Sequence, residues 1–382
     1  MLGHHLPVAG PAEQEIRRVA ALAAERAPQA DERRKLSQEV AHALCRAGFA
    51  RHFVPRRHGG AGGSFGALLP ALIDVGRGCA SAGWCGLIVA SSGRIGAYLP
   101  EPARHELWRE GPDTPLATAL APAGTAVPAD GGWRLSGTWD FVSAVDHAEW
   151  ALLCTPLPGP DSAPEPHFCA LPRQDYSIRD TWHTTGMRGT GSNTVVVRDA
   201  LVPAHRTFPQ RRLLTGTGPC AEGDGYDVPL LAAMPPLFAA PVLGAGYAAL
   251  DAWTQLMRRK NTPGGPIWSS ESAQATLVRA AAGLEAARSV LQDCCRTADA
   301  RPAPNQAGAL RNARGAAMAA ELVLRTVDDL FRAGGTAAQT RSNPLQRVWR
   351  DVHAATQHNV LRFQWSSRQL AERVWENGEP VE

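Results

Sequence analysis

Apolar positions in the first hundred residues recur at intervals of three and four, the spacing of one helix face. The pattern predicts helices over 13–27, 31–47, 65–76 and 80–99. The last is apolar nearly all round, so it is expected to be buried. Between about 115 and 205 the texture changes. Trp133 to Val142 alternates as a half-buried strand does, and 150–154, 167–171 and 194–197 read as further short strands between Gly and Pro turns. These strands predict a small antiparallel barrel or sandwich. Residues 205–226 read as a loop. From about 229 the helical period returns in four long segments near 231–260, 269–299, 305–333 and 343–376, with the short connections of an up-and-down bundle. The expected fold is α+β: an N-terminal helical domain (1–112), a central antiparallel β-barrel (113–222) and a C-terminal four-helix bundle (223–382).

Composition narrows the function. Hydrophobic residues are 44% of the 382 and charged residues 20%, ordinary for a soluble globular chain. A net charge of +3 with dispersed arginines argues against a nucleic-acid partner. No apolar run approaches a membrane span and no signal peptide opens the chain, so a cytoplasmic location is expected. Eight scattered cysteines without a CxxC pattern read as reduced, small core residues. Gly59-Gly60-Ala61-Gly62-Gly63 lacks the order of a dinucleotide fingerprint and follows no strand.

The run from Asn343 to His358 opens with Asn-Pro and contains no breaker, which predicts a helix carrying His353 and His358. Five residues separate them, about 140° around a helix, so they do not share a face. That argues against a metal pair, and no metal is expected. Histidine is the side chain whose ordinary pKa best suits proton transfer near neutrality.

Several segments in order resemble the acyl-CoA dehydrogenase superfamily. They are Val54-Pro55-Arg56-Arg57-His58-Gly59-Gly60, Leu135-Ser136-Gly137-Thr138-Trp139-Asp140-Phe141-Val142-Ser143, and Thr185-Gly186-Met187-Arg188-Gly189-Thr190-Gly191-Ser192 followed by Val202-Pro203. Gly-Met-Arg-Gly-Thr-Gly-Ser and Trp-Arg-Asp-Val-His-x-x-x-Gln-His are most similar to its two-component flavin-dependent monooxygenases, which hydroxylate phenols or oxidise amines on sugars. The resemblance implies reduced FMN or FAD delivered by a separate flavin reductase. It implies O₂ activation through a flavin C4a-hydroperoxide, and a small aromatic or polycyclic substrate. A homo-oligomer, a tetramer built from dimers, is implied too. A dehydrogenase of this superfamily needs a carboxylate base. The matching position holds Asn359, and Val228 to Leu250 contains no Glu or Asp. The rival readings are an amine N-oxygenase, an acyl-CoA dehydrogenase-like protein, and a non-catalytic flavin- or ligand-binding protein.

The resemblance also implies residue roles. Ser143 matches a hydroxyl that accepts the flavin N5 proton, and Thr118 lies near the pyrimidine edge. Phe141 lies against the flavin ring, and Ser192 is a further ligand candidate. Arg259 matches a flavin-phosphate Arg. Gly334-Gly335 matches a pair that passes near a neighbouring subunit's flavin. His358 matches a histidine that accepts the substrate's hydroxyl proton. Ser92 stands where phenol hydroxylases often carry a second His, beside Ser91 and Arg94, and Ala144-Val145 replace a common Gly-Cys pair. Each has a plainer reading. His358 could be a bonded core histidine, Ser143 could satisfy a strand edge, and Phe141, Trp84 and Trp139 could be core aromatics. Arg259 could cap a helix C-terminus and Gly334-Gly335 could end one. His353 reads as structural, paired near Asp351.

Overall fold

A computed structural model of the chain describes residues 12–158, 163–218, 225–263 and 265–378. The N-terminal region holds α1 (Glu13–Arg33), α2 (Gln38–Arg46), α3 (Phe65–Gly78), α4 (Ala80–Gly96) and α5 (Glu101–Leu107). The expected break between 27 and 31 does not occur. Pro28 lies inside α1, where Ala27 and Ala30 are buried, and the chain turns instead at left-handed Arg34 before Ser37 caps α2. Burial of the small-residue face outweighs the proline's lost backbone donor. α4 is buried along almost its whole length, as its apolar circumference requires.

The central region contains β1 (Leu116–Ala119), β2 (Thr125–Ala129), β3 (Gly132–Val142), β4 (Trp150–Leu157), β5 (Glu165–Pro172), β6 (Ser177–Arg179), β7 (Asn193–Pro203) and β8 (Thr207–Pro209). These strands do not close into the expected barrel. They form two four-stranded sheets, β1-β4-β5-β8 and β2-β3-β7-β6. Nor is the pairing wholly antiparallel. After β1 the chain visits the second sheet and returns as β4, which runs parallel to β1. Ala151, Leu153, Cys169 and Leu171 face Leu135, Trp139 and Val195 in the core between the sheets. The intervening Leu152, Cys154, Phe168 and Ala170 face Tyr98 and Leu107 of the helical region. The first sheet is thus apolar on both faces, which hides the alternation of a half-buried strand. The stretch read as a loop from 205 holds β8 and α6 (Gln210–Thr215).

The C-terminal region has a short α7 (Leu230–Ala233), then α8 (Pro235–Arg259), α9 (Glu271–Asp299), α10 (Gln306–Gly334) and α11 (Pro344–Ala355). Gly76 and Gly244 let α3 and α8 touch through their backbones: a Cβ on Gly244 would meet the Ile73 carbonyl oxygen at 2.2 Å. The fourth bundle helix is shorter than its pattern suggests. Thr356 Oγ1 bonds back to the Val352 carbonyl, His358 N closes a tight turn onto Ala355 O, and His358 itself is extended. α12 (Gln364–Ala371) follows as a separate helix. No Pro or Gly marks this break, because side-chain bonds to the backbone make it. Among the described residues, 230–259 is the one stretch long and apolar enough to cross a bilayer, and 83% of its apolar window is buried in the protein.

Candidate active site

The turn between β6 and β7 lies against α11 and α4. Buried Asp351 of α11 accepts the Met187 N–H at 2.6 Å, and Met187 takes a left-handed φ of 52°. Burial pushes the Asp351 carboxyl up to about 6, the Met187 bond opposing this. Arg350 grips Asp31 of α1 with two nitrogens, at 3.1 and 2.8 Å, and also donates to the Thr185 carbonyl. A Cβ on Gly186 would strike the Arg350 carbonyl oxygen at 2.0 Å, so that contact demands glycine.

This docking brings three hydroxyls into a row. Thr190 Oγ1 donates to the Met187 carbonyl at 2.9 Å and lies 2.7 Å from Ser192 Oγ. Ser192 Oγ lies 2.7 Å from Ser143 Oγ, just beyond the end of β3. Trp84 of α4 donates its indole N–H to Ser143 Oγ at 3.3 Å. The same indole packs edge-on against His358, ring centres 5.4 Å apart. Phe238 of α8 stacks on His358 at 4.6 Å and 14°. Trp84 thereby joins the hydroxyl row to the histidine.

His358 is not on the helix, but it reaches the buried cluster. Burial lowers its imidazole to about 4, with no charged group perturbing it. It is therefore neutral at pH 7. Its Nδ1 accepts the Val360 N–H at 3.4 Å, which leaves the neutral ring's proton on Nε2. In this tautomer Nε2 carries the hydrogen that a bound ligand's oxygen can accept. His353 pairs with Asp328 at 3.4 Å and touches Trp349, not Asp351.

Ser92 and Thr118 form their own pair, Thr118 Oγ1 donating to Ser92 Oγ at 2.8 Å. Phe141 is not core. It is 76% exposed, holds a left-handed φ of 61° at the β3 irregularity, and meets Trp182 edge-on at 6.1 Å. A bulky residue there is strained, and the strain presents an aromatic face outward. Arg94 of α4 donates instead to the carbonyls of Gly225 and Val228. Arg259 is exposed at the end of α8. Gly334 ends α10, and a Cβ on left-handed Gly335 would lie 3.8 Å from Lys260 Nζ. Arg259 and the Gly pair therefore share one end of the bundle. Phe238 lies twenty-one residues earlier on α8, about 30 Å along its axis, so the chain does not gather these three with Ser143 and His358.

His58, Glu101 and His105 form the one candidate metal-ligand group among the described residues. Glu101 is already paired with Arg57 and Arg104. Burial raises the pKa values of the cysteine thiols among the described residues, such as Cys85, and leaves them unreactive.

Sequence reasoning missed Trp84, Phe238 and Thr190 as site residues. The first two sit in apolar runs where any aromatic reads as core. Thr190 lay inside the Gly-Met-Arg-Gly-Thr-Gly-Ser segment, which was the available signal.

Helical region, paired sheets and bundle around a buried hydroxyl–aromatic cluster define the acyl-CoA dehydrogenase fold class. Residues 12–99 match the acyl-CoA dehydrogenase N-terminal domain and residues 237–363 its C-terminal domain. The chain is 33% identical over 358 residues to the oxygenase component of an FADH(2)-dependent resorcinol hydroxylase from Rhizobium sp. (strain MTP-10005), covering 88% of this chain and 87% of the relative. It is 29% identical over 345 residues to the HsaA oxygenase subunit of a flavin-dependent monooxygenase from Rhodococcus jostii (strain RHA1), covering 87% and 90%. Among solved structures, 3-HSA hydroxylase from Rhodococcus sp. RHA1 superposes with a TM-score of 0.88 at 27% identity over 98% of both chains. XiaF from Streptomyces sp., in complex with FADH2 and glycerol, gives 0.86 at 27% identity over 97% and 98%. The chain belongs to the oxygenase components of the flavin-dependent monooxygenases, and is an oxidoreductase that uses reduced flavin.

Proposed function

We propose that this chain hydroxylates a small aromatic or polycyclic metabolite, using O₂ and reduced FMN or FAD supplied by a separate flavin reductase. The observation that carries the reading is the row Trp84–Ser143–Ser192–Thr190 beside the stacked Phe238–His358 pair. Bound reduced flavin would supply the activation of O₂. The chain's own residues do the rest. Ser143 offers an oxygen for a flavin N–H, Phe141 and Trp182 give the ring an aromatic wall, and Thr118 with Ser92 lines its polar edge. Trp84 and Phe238 flank His358, whose Nε2–H holds the substrate's oxygen. The ring faces of Trp84 and Phe238 against His358 suit a flat aromatic substrate.

We also propose that the site is completed by a second copy, in a tetramer. Arg259, suited as a planar fork to a phosphate, and Gly334-Gly335 lie too far along the bundle to serve the same chain's Ser143. Trp268, Val278 and Met318 are exposed apolar side chains on the same bundle. The free cysteines among the described residues and the buried apolar helix fit a cytoplasmic location.

The test is anaerobic mixing with reduced flavin and a panel of phenols and amines, followed by ¹⁸O₂. One labelled oxygen in a phenolic product supports the reading. Label only in oxidised amines, or no flavin binding at all, would overturn it.

A further inference from the structure

We propose that Thr190 and Ser192 are positioning residues that fix which way the Ser143 hydroxyl points, and so make the site select reduced over oxidised flavin. The proposal rests on the reading above that Ser143 faces the flavin. Each hydroxyl has one proton to donate and two lone pairs that accept. The Met187 carbonyl can only accept, and Thr190 Oγ1 lies 2.9 Å from it. If Thr190 spends its proton there, its 2.7 Å contact with Ser192 must be donated by Ser192. Ser192 then has no proton left for Ser143, so the 2.7 Å contact between them is donated by Ser143. Trp84 Nε1 is a donor only and fills one lone pair of Ser143 from the other side, at 3.3 Å. This is the one arrangement that makes all four bonds. The Met187 carbonyl also receives the Trp182 indole N–H at 2.9 Å and Thr190's own N–H at 3.2 Å.

What remains open on Ser143 is a lone pair. It suits a partner that donates. Reduced flavin carries a proton on N5 and donates; oxidised flavin has a bare N5 that only accepts. The row therefore favours the form that a reductase delivers and disfavours the form that must leave. Thr190 is 2% exposed and Ser192 4%, so water does not compete for these bonds. Trp84 keeps Ser143 an acceptor even if Ser192 is lost, so that loss frees the Ser143 proton without displacing the oxygen.

The test is the ratio of dissociation constants for oxidised and reduced flavin, the latter measured anaerobically, in the full-length protein. Ser192→Ala and Thr190→Val should each shrink the wild-type preference for reduced flavin by about tenfold, mainly by tightening oxidised flavin, the order of one hydrogen bond. Equivalently, the bound flavin's two-electron potential should fall by about 30 mV. Thr190→Ser keeps the hydroxyl and should restore the ratio. A purely structural role would weaken both forms alike. An unchanged ratio in Ser192→Ala and Thr190→Val overturns the proposal. Ser143→Ala separates the two failures. If it moves the ratio while the other two do not, Ser143 faces flavin but the row does not orient it. If Ser143→Ala leaves both affinities unchanged, the flavin placement itself is wrong.

Discussion

Trp84 and Ser143, fifty-nine residues apart in the chain, share a hydrogen bond of 3.3 Å inside the protein, indole N–H to hydroxyl oxygen. The bond ties the buried α4 to the end of β3, and the same indole walls His358. One side chain thus spans the proposed flavin and substrate ends of the site. Trp84→Phe keeps an aromatic wall and removes the donor. It should raise the fraction of flavin oxidised without hydroxylation several-fold, read as hydrogen peroxide per product. The stability loss should be only about 1–3 kcal/mol by denaturant unfolding. Unchanged coupling would leave Trp84 as core packing.

Ser143→Ala removes the oxygen offered to the flavin. Reduced flavin should still bind, because the rest of the site is intact, while uncoupled hydrogen peroxide rises. Equal coupling in variant and wild type would take Ser143 out of the chemistry.

His358 is neutral across the physiological range, since burial holds it at about 4. His358→Ala should cut product formation by roughly 10²-fold. His358→Gln keeps an N–H donor and should recover part of that loss. The wild-type rate should show no break from this residue between pH 5.5 and 8. A break near 6.5 that disappears in His358→Ala would mean that the ring acts as a base.

Stability against pH separates Asp351 from the buried histidines. His52 and His358 sit near 4 when folded, against 6.5 unfolded. Between those values the unfolded chain binds more protons, so stability falls as pH drops through the window. Asp351 has the opposite sign: about 6 folded against 3.8 unfolded. The folded protein binds the extra proton there, so Asp351 adds stability as pH falls from 6 towards 4. Asp351→Asn can still accept the Met187 N–H but loses this compensation. Its stability relative to wild type should drop by about 1.4 kcal/mol per pH unit between 6 and 4. Parallel denaturation profiles would show that Asp351 is not held protonated by burial.

Light scattering at micromolar concentration should give a tetramer. A folded monomer that binds flavin with wild-type affinity after Arg259→Ala would remove the cross-subunit site.

The sequence by itself determined the order of the three regions and most of the helices, because apolar spacing is a local property that packing then uses. It also carried Ser143, Ser192 and His358 within recognisable segments. It did not determine that Pro28 stays inside a helix or that β1 and β4 run parallel. Nor did it show that a Thr hydroxyl and a His ring end α11 where no breaker stands. The first two of those outcomes depend on partners distant in the chain. Ala27 and Ala30 need a buried face, β4 needs a sheet already begun, and Asp351 needs the amide of Met187, 164 residues away. The site was decided in the same way. Trp84, Phe238 and Thr190 are unremarkable in sequence, and only the docking of α4, α8 and the 184–192 turn puts them around Ser143 and His358. Tertiary structure likewise decided the protonation of His358. Trp84 and Phe238 pack against the ring and partly desolvate it, and a backbone N–H engages Nδ1.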